Sequence, residues 1–221
     1  MDESLEANKL HANSVARNNY NKISRWYDLV IGTREKQIFD QGVRQFSSLK
    51  NGRILEIGCG TGNGLVTLSK EIDQTNSIFG LDLSEGMLRK SKQKFQAIGL
   101  SNIQLQQAHA RFLPYEDYVF SGIILGFTLE LFPDEEIPLV LAECERILQP
   151  AGRIVVIYMA EARTFPVDVY RYFHHKFPTL IDCKPIDIHN YSNKLNFDSI
   201  TITPKILWGL AVNIAIINYN K

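Results

Sequence analysis

The sequence has little of what marks the specialised protein classes. Only three cysteines occur in 221 residues, Cys59, Cys144 and Cys183, far apart and without C-x-x-C spacing. That removes a zinc ribbon and a disulfide framework as organising devices and fits a reducing cytosol. The adjacent His174-His175 pair lacks i, i+4 spacing, so no metal site is expected. Charge of either sign is not in excess, with Lys+Arg and Asp+Glu both at 24. A nucleic-acid binder is thereby disfavoured and a small or neutral partner favoured. No apolar run reaches the length of a membrane span, and Met1 to Asn13 mix acidic and polar residues with no leader-like apolar core. The expectation is a soluble, cytoplasmic protein with no transmembrane segment, a peripheral membrane contact staying open. Repeats and low-complexity stretches are absent, and the length suits one large α/β domain over 1–221.

What the chain does have is Ile54-Leu55-Glu56-Ile57-Gly58-Cys59-Gly60-Thr61-Gly62-Asn63-Gly64. An apolar run passing at once into closely spaced glycines reads as a buried parallel strand, a tight turn and a helix start. Such a turn lets a ligand approach the backbone, with helix N-terminal amides facing the crevice. The spacing is G-x-G-x-G where a dinucleotide fingerprint would be G-x-G-x-x-G, and Glu56 stands two residues before the first glycine. A carboxylate repels a pyrophosphate but attracts an ammonium, so a nucleoside linked to an amino acid suits the turn better than a dinucleotide.

At these residues E-I-G-C-G-T-G resembles motif I of the class I S-adenosylmethionine (SAM)-dependent methyltransferases. Further on, Y-N-K-I-S-R-W-Y-D (20–28) resembles the Y-x-x-I-A-x-x-Y-D segment that precedes motif I in methyltransferases of ubiquinone and menaquinone biosynthesis and their relatives. The resemblance implies a doubly wound, seven-stranded, mostly parallel sheet of order 3-2-1-4-5-7-6 with the last strand antiparallel. It also implies an amino-terminal helical lid over 1–33, in which Tyr20 and Tyr27 would wall the pocket. Spacing alone reads that aromatic face as packing, with the lid as the alternative.

A helix is expected over about 34–49, with Ile38, Phe39, Val43, Phe46 and Leu49 on one face. After the glycine turn, with Gly58, Cys59, Gly60, Thr61 and Gly62 as cofactor-contacting residues, comes a strand from Ser77 ending in Asp82, about twenty residues on. A carboxylate there can accept both hydroxyls of a ribose, while Ser84 can cap the following helix. Leu83 and Met87 would border the adenine. The loop Gln107-Ala108-His109-Ala110-Arg111-Phe112-Leu113-Pro114 resembles the family's G-D-A-x-x-L-P loop with His109 in the acidic position. The resemblance then implies adenine contacts from His109 and from the amides of Ala110 and Arg111.

The fourth strand, over 119–125, leads into Gly126-Phe127-Thr128-Leu129-Glu130, where the resemblance places Leu125 and Gly126 beside the transferred methyl group. Relatives often carry histidine at the position of Glu130. Glu130 itself reads as a general base, an attraction for a cationic substrate or a solvated helix-end residue. Asp134 is expected to cap a helix running to Leu148, and Arg153 to Tyr158 to form the fifth strand. Segment 160–197, rich in aromatics, would be a substrate-side insert. The tail reads as Ser199 to Thr203 and Leu210 to Ile217 joined by a Pro204 to Gly209 linker, with Ile206 to Ile217 buried.

The function expected is methyl transfer from SAM to a small-molecule acceptor, aromatic, quinone-like or lipid-like, with S-adenosylhomocysteine (SAH) as product. Two other classes stay in view: an NAD-linked oxidoreductase, and a methyltransferase-like fold that binds without catalysis. Tyr20, Tyr27 and Glu130 are the catalytic candidates.

Overall fold

Apolar runs bounded by turn residues become the strands of one sheet. A computed structural model describes residues 33–161, 184–192 and 198–219. Its strands are β1 (Arg53–Ile57), β2 (Ser77–Asp82), β3 (Ile103–Gln107), β4 (Phe120–Gly126), β5 (Leu148–Met159), β6 (Ser199–Leu207) and β7 (Leu210–Asn218). They form a seven-stranded sheet of order β3-β2-β1-β4-β5-β7-β6. The pairs among β1 to β5 are parallel, and β7 runs antiparallel to both β5 and β6. The order reverses between β1 and β4. In such sheets the crevice at the carboxyl ends of the strands opens at that switch point.

The helices are α1 (Thr33–Val43), α2 (Asn63–Glu71), α3 (Glu85–Ile98), α4 (Ile137–Ile147) and a short α5 (His189–Ser192). Adjacent residues within a strand belong to different cores, as a sheet covered on both faces requires. Ile54, Ile124 and Val155 pack with Ile38, Val43 and Phe46 of the α1 side and with Leu65, Leu68 and Phe95 of α2 and α3. Leu55, Ile123 and Val156 pack instead with Ile137, Val140, Leu141 and Cys144 of α4. Each fully buried side chain of this size contributes about 1.5–3 kcal/mol. Together they hold the strand tips rigidly enough to carry a site.

Several boundaries differ from those expected. The helix expected over 34–49 stops at Val43 and tightens into a 3-10 turn, Arg44–Phe46, which drives Phe46 to full burial. Asp134 does not cap α4. Its Oδ1 accepts from Lys184 Nζ at 2.6 Å and from the Tyr191 hydroxyl at 2.5 Å, and the cap position belongs to Glu136, with no side-chain cap bond. β5 starts at Leu148 and continues past Ala151, which is at positive φ, with a register shift against β4 between Phe120 and Gly122.

In the tail the Pro204 to Gly209 linker is not a loop. β6 runs through Pro204 to Leu207, and the turn is Trp208-Gly209, both at positive φ. β6 is the edge strand, where a missing amide is tolerated. Ile206 is 74% exposed, not buried. No helix among the described residues is long and apolar enough to cross a membrane.

Candidate functional site

At the end of β1 the chain turns through Gly58, Gly60 and Gly62 with φ of 73°, 52° and 80°, a region that costs other residues about 1–2 kcal/mol each. The amides of Gly58 and Cys59 both donate to the Leu81 carbonyl, at 2.7 and 3.0 Å. The Gly60 amide donates to Asp82 Oδ2 at 2.8 Å, and the Ser91 hydroxyl donates to the Gly60 carbonyl at 2.8 Å. Lys94 Nζ reaches across from α3 to Thr61 Oγ1 at 3.3 Å and Asn63 Oδ1 at 2.5 Å.

The glycines differ in what a side chain would meet. A Cβ at Gly62 would lie 2.7 Å from Phe95 Cζ, and one at Gly58 would run into the Thr128 side chain. A Cβ at Gly60 would meet no protein atom within 4 Å. Gly58 and Gly62 therefore serve the protein's own packing, whereas Gly60 faces an open cradle.

Two acidic side chains flank that cradle. Glu56 projects from β1, 5% exposed, with Oε1 against Gly64 and the Phe39 ring of α1 against the same glycine. Its Oε2 has no hydrogen-bond partner among the described residues. Burial first, and then the negative charge of Asp82, raise its pKa well above the usual 4.5. Without a cation burial disfavours the charged form; an arriving ammonium would favour ionisation and supply the missing bond.

Asp82, at the tip of β2, accepts from Gly60 N through Oδ2 and from Ser84 N through Oδ1 at 2.7 Å. Burial raises its pKa, against the lowering by those two amides. An ionised carboxylate so held retains acceptor capacity on both oxygens. Ser84 is the cap of α3, its hydroxyl accepting from Met87 N at 3.3 Å, so Asp82 is not needed for that task. Leu83 is exposed beside it, while Met87 is buried.

On the β3 side the structure corrects one expectation. The Arg111 amide is not free for a ligand, because it donates to His109 Nδ1 at 3.2 Å. Of the two expected amides only that of Ala110 lacks such a partner among the described residues. Burial lowers the His109 pKa, outweighing Glu136, which raises it. The ring is therefore neutral near pH 7 and keeps Nε2–H to donate. Arg111 is tied to Glu136 at 2.7 Å, and Ala110 is buried in the α4-side core.

At β4, Leu125 is fully buried in the core, as is Cys59 nearly so, and both side chains serve packing; only their backbones border the turn. Gly126 admits the Phe39 ring, 2.7 Å from where its Cβ would stand. The 3-10 turn Leu129–Leu131 follows. Glu130 there is 1% exposed, which removes the reading of a solvated helix-end residue. Its Oε1 accepts from Met159 N at 3.2 Å, and Oε2 has no partner among the described residues. Burial raises its pKa to about 8, and Glu35 of α1 adds to the shift.

Sequence reasoning missed Glu35, Ser91 and Lys94. Glu35 had a signal, an acid one turn before Phe39 on the apolar face of α1. The other two are contacts across 31 to 33 residues that no local pattern reveals. Tyr20, Tyr27, His174, His175 and Cys183 lie outside the described residues.

A profile of the ubiE/COQ5 methyltransferase family matches residues 8–204. The chain belongs to that family. The methyltransferase is 31% identical over 163 residues to the demethylmenaquinone methyltransferase of Oceanobacillus iheyensis, covering 74% of this chain and 68% of the relative. It is 32% identical over 162 residues to the enzyme of the same name from Geobacillus kaustophilus, covering 72% and 68%. Among solved structures it resembles magnesium protoporphyrin IX methyltransferase (ChlM) of Synechocystis PCC 6803 with bound SAH. The TM-score is 0.74 at 16% identity, over 94% of this chain and 99% of that one. At that identity the likeness speaks for the fold. The cofactor is SAM, and membership of this family excludes the NAD-linked oxidoreductase.

Proposed function

We propose that this methyltransferase moves the methyl group of SAM to a ring carbon of a prenylated aromatic quinol. The cofactor half of the reading is carried by one observation: a buried Glu56 carboxyl, its Oε2 without a partner among the described residues, beside a glycine turn whose central Cβ position is open. The acceptor half is supported by the demethylmenaquinone methyltransferases at 31–32% identity.

Bound in the crevice, SAM supplies a methyl group made electrophilic by the sulfonium. Glu56 ionises against the cofactor's ammonium, and Asp82 accepts from the ribose hydroxyls while still holding the Gly60 and Ser84 amides. Leu83 and Met87 border the adenine, whose edge meets His109 Nε2–H and the Ala110 amide. Gly58, Gly60, Thr61 and Gly62 let the backbone approach the methionine moiety, and Gly126 marks the β4 tip nearest the methyl group.

Holding the acceptor in line with the S–CH3 bond and excluding water supplies on the order of 7–11 kcal/mol of barrier lowering.

The test is a panel of acceptors with methyl-labelled SAM: a prenylated naphthohydroquinone, a prenylated benzohydroquinone and phosphoethanolamine. Label in a quinol with one SAH formed per methyl is the expected result. Label only in the amine overturns the acceptor class, and no turnover with tight SAH binding turns the reading to a catalytically silent binding protein.

A further inference from the structure

We propose that Glu130 and Glu35 form a carboxyl pair that takes the proton the acceptor releases during methyl transfer. The inference rests on the methyl-transfer reading above and assigns the group that accepts the proton. Glu130 sits in the first turn after the carboxyl end of β4, where the reaction is placed. One of its oxygens is fixed by the Met159 amide of β5, and the other is buried without a partner.

Glu35 stands one turn before Phe39 on α1, and residues four apart share a helix face. The Phe39 ring lies against Gly126 and Gly64, so this face of α1 covers the tips of β4 and β1. The charge of Glu35 reaches Glu130, where it adds to the upward shift that burial causes. Among the described residues the other ionisable group in the field of Glu130 is the Tyr158 hydroxyl of β5, which accepts from Asn213 Nδ2 at 3.3 Å. No cation is paired with either glutamate among the described residues.

A negative charge near a buried carboxyl disfavours its ionisation, so an ionised Glu35 favours the protonated form of Glu130 and the reverse. Burial raises Glu35 to about 7 and Glu130 to about 8, the range in which a carboxylate serves as a base near neutral pH. The step balances. The acceptor's ring carbon bonds to the methyl carbon, and the C–S bond breaks with its electron pair left on sulfur. The ring proton passes to the ionised carboxylate as aromaticity returns. A cationic donor and an anionic pair become a neutral thioether and a neutral acid.

A purely structural Glu130, an anchor for the end of β5, makes a different prediction. Glu130→Gln keeps an oxygen for the Met159 amide, so the anchor survives. The expected result is a fall in kcat of about 10²-fold or more, SAH affinity unchanged within twofold, and loss of the rising limb of the kcat–pH profile. Glu35→Gln should lower kcat less than Glu130→Gln does and move that limb to lower pH. A Glu130→Gln enzyme with wild-type kcat overturns the proposal.

Carboxyl-labelled glutamate NMR of the wild-type protein with SAH needs no acceptor and no variant fold. Glu130 titrating near neutrality or above, and lower in Glu35→Gln, supports the pair; titration at an ordinary 4–5 overturns it. Absence of turnover with every acceptor counts against the function proposed above, and the titration then still decides whether the pair exists.

Discussion

Glu56→Gln should move cofactor affinity and apo stability in opposite directions. The Glu56 carboxyl is buried with one oxygen unpartnered, and its pKa lies well above the usual 4.5. A carboxyl raised in the folded state contributes stability that is complete below the unfolded pKa and is lost as pH rises toward the folded one. The cost of keeping Glu56 in the empty site therefore grows as pH rises above the usual carboxylate range toward the raised pKa. For a chain of this size each 1 kcal/mol that Glu56→Gln recovers reads as roughly 2–4 °C in Tm.

Against this gain stands the lost bond from the cofactor's ammonium, about 1.5–3 kcal/mol, or roughly 10- to 150-fold in Kd. Thermal unfolding of the apo protein at pH 5 and pH 7.5, with calorimetric titration by SAH, reads both quantities. The variant should match wild type at pH 5, exceed it at pH 7.5 and bind SAH more weakly. A variant less stable at pH 7.5 with SAH affinity intact would show Glu56 to be a structural residue and refute the reasoning.

Three further outcomes follow from the same geometry. Gly60→Ala, whose Cβ meets no protein atom, should cost only the ~1–2 kcal/mol of its left-handed backbone and still weaken SAH binding severely, whereas Gly62→Val meets Phe95 and should lose folded protein first; thermal unfolding beside calorimetry separates them. Asp82→Ala should weaken SAM and SAH alike by ~1.5–3 kcal/mol, and an effect confined to the acceptor's KM would mean that Asp82 is misplaced. Glu130, with a pKa of about 8, should make wild-type stability fall between pH 4.5 and 8, and urea denaturation of Glu130→Gln should show a shallower decline over that window.

Local pattern was enough where the determinants are local. The strand–glycine–helix turn, the Asp82 terminus of β2 and the Ser84 cap are all set within a few residues of one another. The sheet order came through resemblance to a family, since no spacing encodes which strand lies beside which. Legibility failed where a distant partner decides. Glu130 looks like a surface acid until the Met159 amide and α1 close over it. The Arg111 amide looks free until His109 turns its Nδ1 toward it. Asp134 has the residue type of a helix cap, yet Lys184 and Tyr191, 50 and 57 residues away, claim it. Pro204 reads as a break, and only its place on an edge strand lets β6 continue through it.

The measurement that bears most directly on the account is a crystal structure of the SAH complex. The account predicts the ribose hydroxyls on the Asp82 carboxylate, the ammonium within hydrogen-bond distance of Glu56 Oε2, the ligand passing over Gly60, and the sulfur at the Gly126 side of the crevice. SAH bound elsewhere, or bound in the crevice with Glu56 still without a partner, would contradict it.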